Sequence, residues 1–221
     1  MRLEDFKGMY GGAVFLCGSG ASWLRIPLPL RKGLALAYTF AGARFFRWAE
    51  AGFTPSFYLV AEERHASEWK ETGFGQTRAT IARFCVDWQP VPAGWVMVPR
   101  PPSLSFHHYT LPESRLSPFE GECRHIHMAH DVPLAMLQVA RYMGFSEFYL
   151  VGCECTAQGY AWNPEERRSV GDRGGTMFSL YAKAYEEVGG KLYDCTPGGL
   201  LSTKGVLPHV DLEDALAVKV G

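Results

Sequence analysis

Short apolar runs alternate along the chain with segments whose apolar side chains recur at helical spacing. Continuous apolar runs, typical of strands that are covered on both faces, lie at residues 12–17, 34–38, 57–60, 95–98, 147–151 and 191–193. Helical spacing, closed in each case by a glycine, marks residues 41–51, 133–143 and 176–188. Strands that alternate with helices predict an α/β domain with a mainly parallel sheet and helices on both faces.

Two stretches are predicted to be mainly loops, the first of them around the short strand at 95–98. Residues 89–118 are rich in proline and are predicted to form a long loop. Residues 163–175 combine arginines with glycines and are predicted to form a lid loop, in which an arginine could contact a phosphate. Long loops without secondary structure are often functional. No repeat or low-complexity linker divides the sequence, so we interpret residues 1–221 as one domain.

Composition limits the classes of function that remain. The 221 residues are 47% hydrophobic, and 22 basic against 23 acidic residues give a formal charge of -1, without the basic excess expected of a nucleic-acid-binding protein. No apolar run approaches the roughly 18 residues of a membrane span, and the first residues lack the apolar centre of a signal peptide. We therefore expect a cytoplasmic protein whose six cysteines are reduced thiols.

The first apolar run ends in a glycine-rich turn, Gly18-Ser19-Gly20, with Ser22 two residues further on. Glycines permit close approach of the backbone to a ligand, and successive N–H groups in such a turn can bind an anion. The pattern is not a dinucleotide-binding fingerprint, because Trp23 fills the third glycine position, and it is not a Walker loop. The residues alone therefore leave two interpretations open, a phosphate cradle and a plain structural turn.

Ligands of open α/β sheets bind beyond the carboxyl ends of the strands. Three of the predicted strands end in polar or glycine-containing sequences, at residues 18–20, 61–64 and 152–155. We therefore expect a Rossmann-like arrangement in which the first turn and the segment Gly152-Cys153-Glu154 face the same cleft. Cys153 and Cys155 flank Glu154 and are interpreted as small packing residues, since free cysteine is usually buried.

Two segments of the chain resemble a known group of enzymes. They are residues 15–24, FLCGSGASWL, and residues 135–162, which include the sequence GFSEFYLVGCE. The pair is similar to the bacterial lipooligosaccharide sialyltransferases and to the related domain of the archaeal 6-hydroxymethylpterin diphosphokinases. Those families open with a strand and a Gly-x-Gly-Pro-Ser-Leu turn. Later they carry Gly-aromatic-x-x-Ile-Tyr-Leu-x-Gly-x-Asp, which matches Gly144 to Glu154.

The resemblance implies that a cytidine nucleotide sugar is held between the first turn and the late strand end. The residues that it assigns to the nucleotide are Gly18, Ser19, Gly20, Ser22, Gly152, Cys153 and Glu154. It also implies that Tyr160 contacts the phosphate, that Thr39 replaces an asparagine expected after the second strand, and that Asp131 begins a helix near the nucleotide. The departures from the families are Ala21 for the turn proline, Glu154 for an aspartate and Thr156 for a second tyrosine.

The expected catalytic group differs from that of the sialyltransferases. Their general-base histidine lies just before the penultimate helix, and the corresponding position here is Asp172. His127 and His130 are the chemical alternatives, since a histidine can act as a general base near neutral pH. Residues 123–130 are rich in cysteine and histidine, but their spacing matches no common zinc motif, so no metal site is predicted there.

These features together predict a glycosyltransferase-like enzyme that binds a nucleotide sugar, such as a cytidine monophosphate sugar, and transfers the sugar to an acceptor glycan. Two alternatives remain open. One is a pterin-type diphosphokinase, which would need ATP and Mg²⁺, and the other is a non-catalytic nucleotide-binding module. The leading hypothesis assigns no certain cofactor, and the sequence does not predict the oligomeric state.

Overall fold

A seven-stranded parallel sheet forms the centre of the computed structural model, which describes residues 1–42, 44–48, 50–60, 77–86, 91–98, 132–155, 159–165 and 174–220. The strands are β1 (Ala13–Cys17), β2 (Thr39–Gly42), β3 (Phe57–Val60), β4 (Ala82–Val86), β5 (Val96–Val98), β6 (Glu147–Val151) and β7 (Leu192–Asp194). Their order is β5-β4-β3-β2-β1-β6-β7, and every pairing between these described strands is parallel. The predicted α/β class with a parallel sheet is therefore confirmed.

Helices and 3-10 turns cover both faces of this sheet. The α-helices are α1 (Leu28–Gly33), α2 (Val132–Tyr142), α3 (Gly174–Glu187), α4 (Leu200–Thr203) and α5 (Leu212–Val220). Short 3-10 turns span Leu3–Phe6, Ala21–Arg25, Leu34–Leu36 and Phe45–Arg47. One face packs against α2 and α3, and the other packs against α5 and the connection between β1 and β2. No helix in the described ranges is both long and apolar enough to cross a membrane.

Side chains that alternate across the sheet explain why the strands appear in the sequence as continuous apolar runs. In β1, Val14 and Leu16 belong to the core on one face, while Phe15 and Cys17 belong to the core on the other face. All four side chains are fully buried. The predicted elements that the structure confirms to within two residues are the strands at 12–17, 57–60, 95–98, 147–151 and 191–193 and the helices at 133–143 and 176–188.

The second strand lies later in the chain than the apolar pattern predicts. Residues 34–38 do not form it, because Leu34–Leu36 is a 3-10 turn and β2 begins at Thr39. The sequence LALAYTFAGA is mostly apolar, so its periodicity does not place a strand within it. Tertiary contacts fix the strand instead: β2 pairs with β1, and Gly42 approaches α2 so closely that a side chain there would collide with Val132.

The helix predicted over residues 41–51 is wrong for a related reason. Its first residues complete β2, and among the described residues that follow, Phe45–Arg47 forms only a 3-10 turn. The sequence pattern also missed β4, because Arg83 interrupts the apolar run there, with its guanidinium 5.3 Å from the ring centre of Trp95. The predicted loops at 89–118 and 163–175 lie largely outside the described residues, and within the described part of the first, Val96–Val98 forms strand β5.

The order of the strands reverses at β1, which lies between β2 and β6. Ligands of doubly wound folds bind at such a switch point, in the crevice beyond the carboxyl ends of the strands. β1 ends at Cys17 and β6 ends at Val151, and these two residues are paired directly. The turns that follow them are therefore the natural place for a binding site.

Candidate functional site

The turns after β1 and β6 are held together by backbone hydrogen bonds. The Gly18 N–H donates to the carbonyl oxygen of Val151 at 2.8 Å, and the Gly20 N–H donates to that of Gly152 at 3.0 Å. The sequence prediction that the first turn and the segment from Gly152 to Glu154 lie side by side at the carboxyl edge is confirmed. Their role in binding a nucleotide stays a prediction.

Close packing between the two turns requires glycine at their centre. A side chain at Gly18 would collide with the carbonyl group of Gly152 and with the Cys153 sulfur, 2.7 Å away. Gly152 has a φ of +72°, and a side chain there would collide with the indole of Trp23. That indole is fully buried and donates from Nε1 to the Gly18 carbonyl oxygen at 2.8 Å. Close packing alone therefore explains why glycine is needed at these positions, which agrees with the interpretation of the sequence as a structural turn.

The carboxylate of Glu154 lies inside the glycine turn. Its side chain is only 2% exposed, and Oε1 accepts a hydrogen bond from the backbone N–H of Ser22. The carboxylate fills the space that a side chain on Gly20 would need. The protein's own carboxylate thus takes the position in the turn that an anion would take if the turn were a phosphate cradle. The longer arm of glutamate, compared with the aspartate of the families that the sequence resembles, suits this reach across the turn.

Two buried polar atoms at this position have no hydrogen-bond partner among the described residues. They are Oε2 of Glu154 and the hydroxyl oxygen of Ser22. Most buried side-chain polar atoms in folded proteins are hydrogen-bonded, so two such atoms at one turn need an explanation. Both belong to residues that the sequence analysis assigns to the site.

A short loop of residues 159–165 lies beside the first turn. Ala21 donates its N–H to Gly159 O, and Ala161 donates its N–H to Ser19 O, each at 3.1 Å. The loop brings Tyr160 next to Gly20 in an isolated antiparallel bridge. The ring of Tyr160 stacks on that of Trp162, with ring centres 4.6 Å apart. The structure therefore places Tyr160 beside the glycine turn, where the resemblance predicts a phosphate contact.

The loop after β7 supports the β6 turn from the other side. The Cys153 N–H donates to the hydroxyl oxygen of Thr196 at 3.1 Å, and the Thr196 N–H donates to Asp194 Oδ1 at 2.9 Å. The Ser202 N–H donates to Asp194 Oδ2 at 3.1 Å, and the Leu200 N–H donates to the carbonyl oxygen of Glu154, also at 3.1 Å. Asp194 and Thr196 are fully buried.

The sequence analysis missed these supporting residues. Their signal was the sequence DCTPGG after the last short strand, in which aspartate and threonine bind nearby backbone groups and glycines permit a tight turn. In the structure, Asp194 Oδ2 lies 2.7 Å from the place of a side chain at Gly199, so this glycine is also needed.

The cysteines near the site behave as packing residues. Cys153 is buried, and its sulfur lies 3.6 Å from the carbonyl oxygen of Val151 and 3.9 Å from that of Leu16. Burial raises the pKa of the Cys17 thiol well above its ordinary value. Burial, together with the carboxylates of Asp194 and Asp211, raises the pKa of the Cys195 thiol in the same direction. Thiols of this kind are weak nucleophiles because the reactive form is the thiolate.

The structure does not bring Thr39 to the two turns. Thr39 begins β2, and its backbone N–H donates to the Ser56 hydroxyl at 3.2 Å while its own hydroxyl accepts from the Ser56 N–H at 3.0 Å. The sequence analysis expected Thr39 to follow the second strand. Because β2 begins at Thr39, this residue lies instead at the amino end of the strand, away from the carboxyl edge where the two turns meet. The remaining predicted site residues, which lie outside the described residues, are His127, His130, Asp131 and Asp172. No metal-binding group of three or more histidine, cysteine or carboxylate side chains occurs in the described part of the chain.

This combination of a parallel sheet, a reversal of strand order and two glycine turns at the reversal defines a Rossmann-like α/β protein. No family model and no curated protein matches the sequence. The fold is similar to that of the Maf glycosyltransferase from Magnetospirillum magneticum, with a TM-score of 0.51 and 15% identity over 94% of this chain. The chain spans 36% of that protein's length.

A second similar structure is the sialyltransferase CstII from Campylobacter jejuni in complex with a substrate analogue, cytidine-5'-monophosphate. The TM-score is 0.48 and the identity 13%, over 91% of this chain and 86% of that one. At 15% identity, the likeness to the Maf glycosyltransferase establishes the α/β fold alone.

Proposed function

We propose that the chain is a glycosyltransferase-like enzyme that binds a nucleotide sugar where the turns after β1 and β6 meet. The observation that carries this proposal is the buried pair of Glu154 Oε2 and Ser22 Oγ, neither of which has a hydrogen-bond partner among the described residues. The pair lies at the switch point of a parallel sheet, where ligands of such folds bind. The fold shared with the Maf glycosyltransferase supports the transferase class by analogy.

Four backbone N–H groups of the glycine turn are bonded within the protein in this conformation. The N–H groups of Gly18, Gly20 and Ala21 donate to carbonyl oxygens of the protein, and that of Ser22 donates to the Glu154 carboxylate. A phosphate in the same place would meet the negative charge of Glu154, and like charges repel strongly where water is excluded. We therefore propose that side chains hold the phosphate.

Glu154 is suited to a ligand group that donates a hydrogen bond. A carboxylate oxygen only accepts, so Oε2 fits a ribose hydroxyl or a base amino group. We propose that the nucleoside part of the donor contacts Glu154 and Ser22, and that its phosphate lies outside the turn near Ser19 and Tyr160, which carry hydroxyl donors. The donor that fits this division best is a cytidine monophosphate sugar, in which a single phosphate separates the ribose from the sugar.

Catalysis would need a general base at the carboxyl edge of the sheet. The base removes the proton of the acceptor hydroxyl, the acceptor oxygen attacks the anomeric carbon, and the bond to the nucleotide phosphate breaks. The proposed bases are Asp172, His127 and His130. His130 precedes α2 by two residues, and α2 begins where Val132 packs beside Gly42 at the end of β2. Asp172 precedes α3 by two residues, and α3 connects β6 to the parallel strand β7.

Nucleotide binding is tested by thermal unfolding with CMP, CDP, ATP with Mg²⁺, or no ligand. A ligand that binds only the folded state at 100 times its Kd stabilises the protein by about 2.7 kcal/mol, which corresponds to several degrees in Tm for a chain of this size. We expect CMP to give this shift. A shift with ATP and Mg²⁺ alone would favour the diphosphokinase, and no shift with any nucleotide would contradict the proposal.

The contact with Glu154 is tested by calorimetry of CMP binding to Glu154→Gln. The variant keeps an oxygen for the Ser22 N–H but presents an amide where Oε2 was, so a ligand donor loses its acceptor and affinity should fall about tenfold or more. The matched control is Glu213→Gln, an exposed glutamate on α5, which should bind like the unchanged protein. Equal affinities in the two variants would exclude Glu154 as a ligand contact.

The base is tested by turnover of the donor in Asp172→Asn, His127→Gln and His130→Gln. General-base catalysis contributes about 10²- to 10⁴-fold, so one variant should lose at least 100-fold in rate while its CMP affinity stays close to normal. If all three variants keep the normal rate, the base lies elsewhere. If the unchanged protein binds CMP but transfers no sugar, the chain is a nucleotide-binding module.

A further inference from the structure

The connection between β1 and β2, residues 18–38, carries large apolar side chains on its outer side as well as its inner side. Trp23, Ile26 and Leu34 point inward and are buried in the core beneath the sheet. Leu24, Leu28 and Leu36 are 52%, 42% and 74% exposed. Three exposed leucines therefore lie on this one connection, and exposed apolar surfaces can mark interaction sites.

The connection carries Arg25, Arg31 and Lys32 and no acidic residue, and the longer segment around it is also basic, although the whole chain is nearly neutral. Between Lys7 and Ala49 the sequence contains no acidic residue, whereas its basic residues are Lys7, Arg25, Arg31, Lys32, Arg44 and Arg47. All 23 acidic residues lie elsewhere, with the other 16 basic residues. The ion pairs within the described residues do not involve Arg25, Arg31 or Lys32. A charge asymmetry of this kind indicates an anionic partner.

The middle of this connection is α1, which is packed against the protein. The guanidinium of Arg31 lies 5.1 Å from the ring centre of Trp48, and Nη1 donates to the carbonyl oxygen of Glu50 at 2.8 Å. Leu28 and Lys32 lie on the same helix as Arg31, and both side chains are exposed. Leu28 and Lys32 are therefore exposed on a packed element of the fold.

We propose that this surface, the crossover face of Leu24, Arg25, Leu28, Lys32 and Leu36, docks on an anionic lipid surface. Burial of the leucine side chains among acyl chains is favourable, and the arginine and lysine side chains are attracted to the headgroup phosphates. Segments that bind at membrane interfaces combine these two interactions. A nucleic acid fits less well, because the side chains between the cations are aliphatic and offer neither hydrogen bonds nor aromatic stacking. The proposal does not depend on the function of the glycine turns.

Cosedimentation with vesicles tests the proposal on the unchanged chain. The two vesicle types are phosphatidylcholine alone and equal parts of phosphatidylcholine and phosphatidylglycerol. We expect binding to the anionic vesicles only, weakened by added salt because exposed charges are screened. Arg25→Gln with Lys32→Gln removes two cations near the surface and should weaken binding about 30-fold. The matched control, Lys191→Gln with Lys204→Gln, removes two exposed cations outside the crossover face and should bind normally.

The apolar contribution is tested by Leu28→Ser with Leu36→Ser, which keeps every charge. This pair should also weaken vesicle binding about tenfold or more, because partly exposed leucines are replaced by polar side chains of lower affinity for lipid. Thermal unfolding should show that both pairs of variants remain folded. Equal binding to the two vesicle types, or binding that neither pair reduces, overturns the proposal. So does binding to a short DNA duplex without binding to vesicles. Self-association that the leucine variants abolish, without vesicle binding, would identify a second copy of the chain as the occupant and overturn it as well.

Discussion

The carboxylate of Glu154 sits where a side chain at position 20 would have to lie. Gly20→Ala must therefore displace Glu154 from the turn or shift the turn itself. Overpacking of this kind costs about 1–3 kcal/mol, so the midpoint of urea unfolding should fall accordingly. The control is Gly11→Ala, because no atom lies within 4 Å of a side chain at Gly11 and its φ is not positive. That change should be neutral or slightly stabilising, and equal midpoints for the two variants would show that Glu154 does not occupy the turn.

The sequence predicts the tight turn at Gly18 and Gly20, but it does not predict why glycine is needed there. The spacing of Gly18 and Gly20 after an apolar run identifies a tight turn at a strand end, and the structure has one there. The group that lies in the turn belongs to Glu154, 132 positions after Ser22 in the sequence. No local pattern reports a contact across that separation, so the sequence left a phosphate cradle and a structural turn open and did not predict that Glu154 lies in the turn.

At the scale of elements, the loop after β7 supports the turn after β6 through hydrogen bonds, and Asp194 holds that loop in place. Its two carboxylate oxygens accept from the Thr196 and Ser202 N–H groups. In Asp194→Asn one acceptor becomes an amide donor that faces an N–H group in a fully buried place, at a cost of about 1–3 kcal/mol. Tm should fall by several degrees, and affinity for CMP should fall with it because Cys153 and Glu154 lose their support.

The matched control for this change is Asp214→Asn, an exposed aspartate in the first turn of α5. Loss of its favourable charge at a helix start costs about 0.3–1 kcal/mol, so its Tm should stay close to normal and its CMP affinity should not change. Thr196→Ser keeps the hydroxyl that accepts from Cys153 and should retain more CMP affinity than Thr196→Val. If Asp194→Asn unfolds like the control, the hydrogen bonds to Asp194 do not support the turn.

Helices and strands were predictable where the apolar periodicity and the proline or glycine residues at the ends of an element agreed. α2 begins with a proline at its second residue and ends before glycine, with a continuous apolar face, and its place in the sequence follows from those signals. β2 offers no such signals, because small and apolar residues extend on both sides of it. Its ends are set by pairing with β1 and β3 and by contact between Gly42 and α2, which are tertiary interactions.

At the scale of the whole molecule, the strand order concentrates the candidate chemistry at one edge. β1 neighbours β2 on one side and β6 on the other, so two turns far apart in sequence meet beyond the same pair of strands. Alternation of strands and helices predicts the parallel sheet, and the rule for ligand positions then predicts the edge. The position of the switch point depends on which strand pairs with β1 on the side away from β2. The structure shows that this strand is β6.

The buried thiols and phenols of this sheet make the stability of the whole molecule sensitive to alkaline pH. Burial raises the pKa of Cys17 far above its usual value of about 9, and burial and the nearby Glu147 raise the pKa of Tyr149 to about 12. The folded state therefore keeps protons that the unfolded state releases, so the stabilising contribution is complete below pH 9 and is lost as pH rises from there. Under reducing conditions, the free energy of unfolding should be flat near neutral pH and decline above pH 9.

Cys17→Ala removes one of these groups and isolates its contribution to the alkaline decline. Each group that is protonated only in the folded state steepens the loss of stability by about 1.4 kcal/mol per pH unit. The slope between about pH 9.5 and 11 should therefore be shallower by that amount in Cys17→Ala, in urea unfolding followed at each pH. Val14→Ala, in the same strand and also fully buried, lowers stability by opening a cavity but carries no titratable group, so its slope should match that of the unchanged protein. Parallel slopes in all three proteins would mean that the Cys17 thiol titrates alike in the folded and unfolded states.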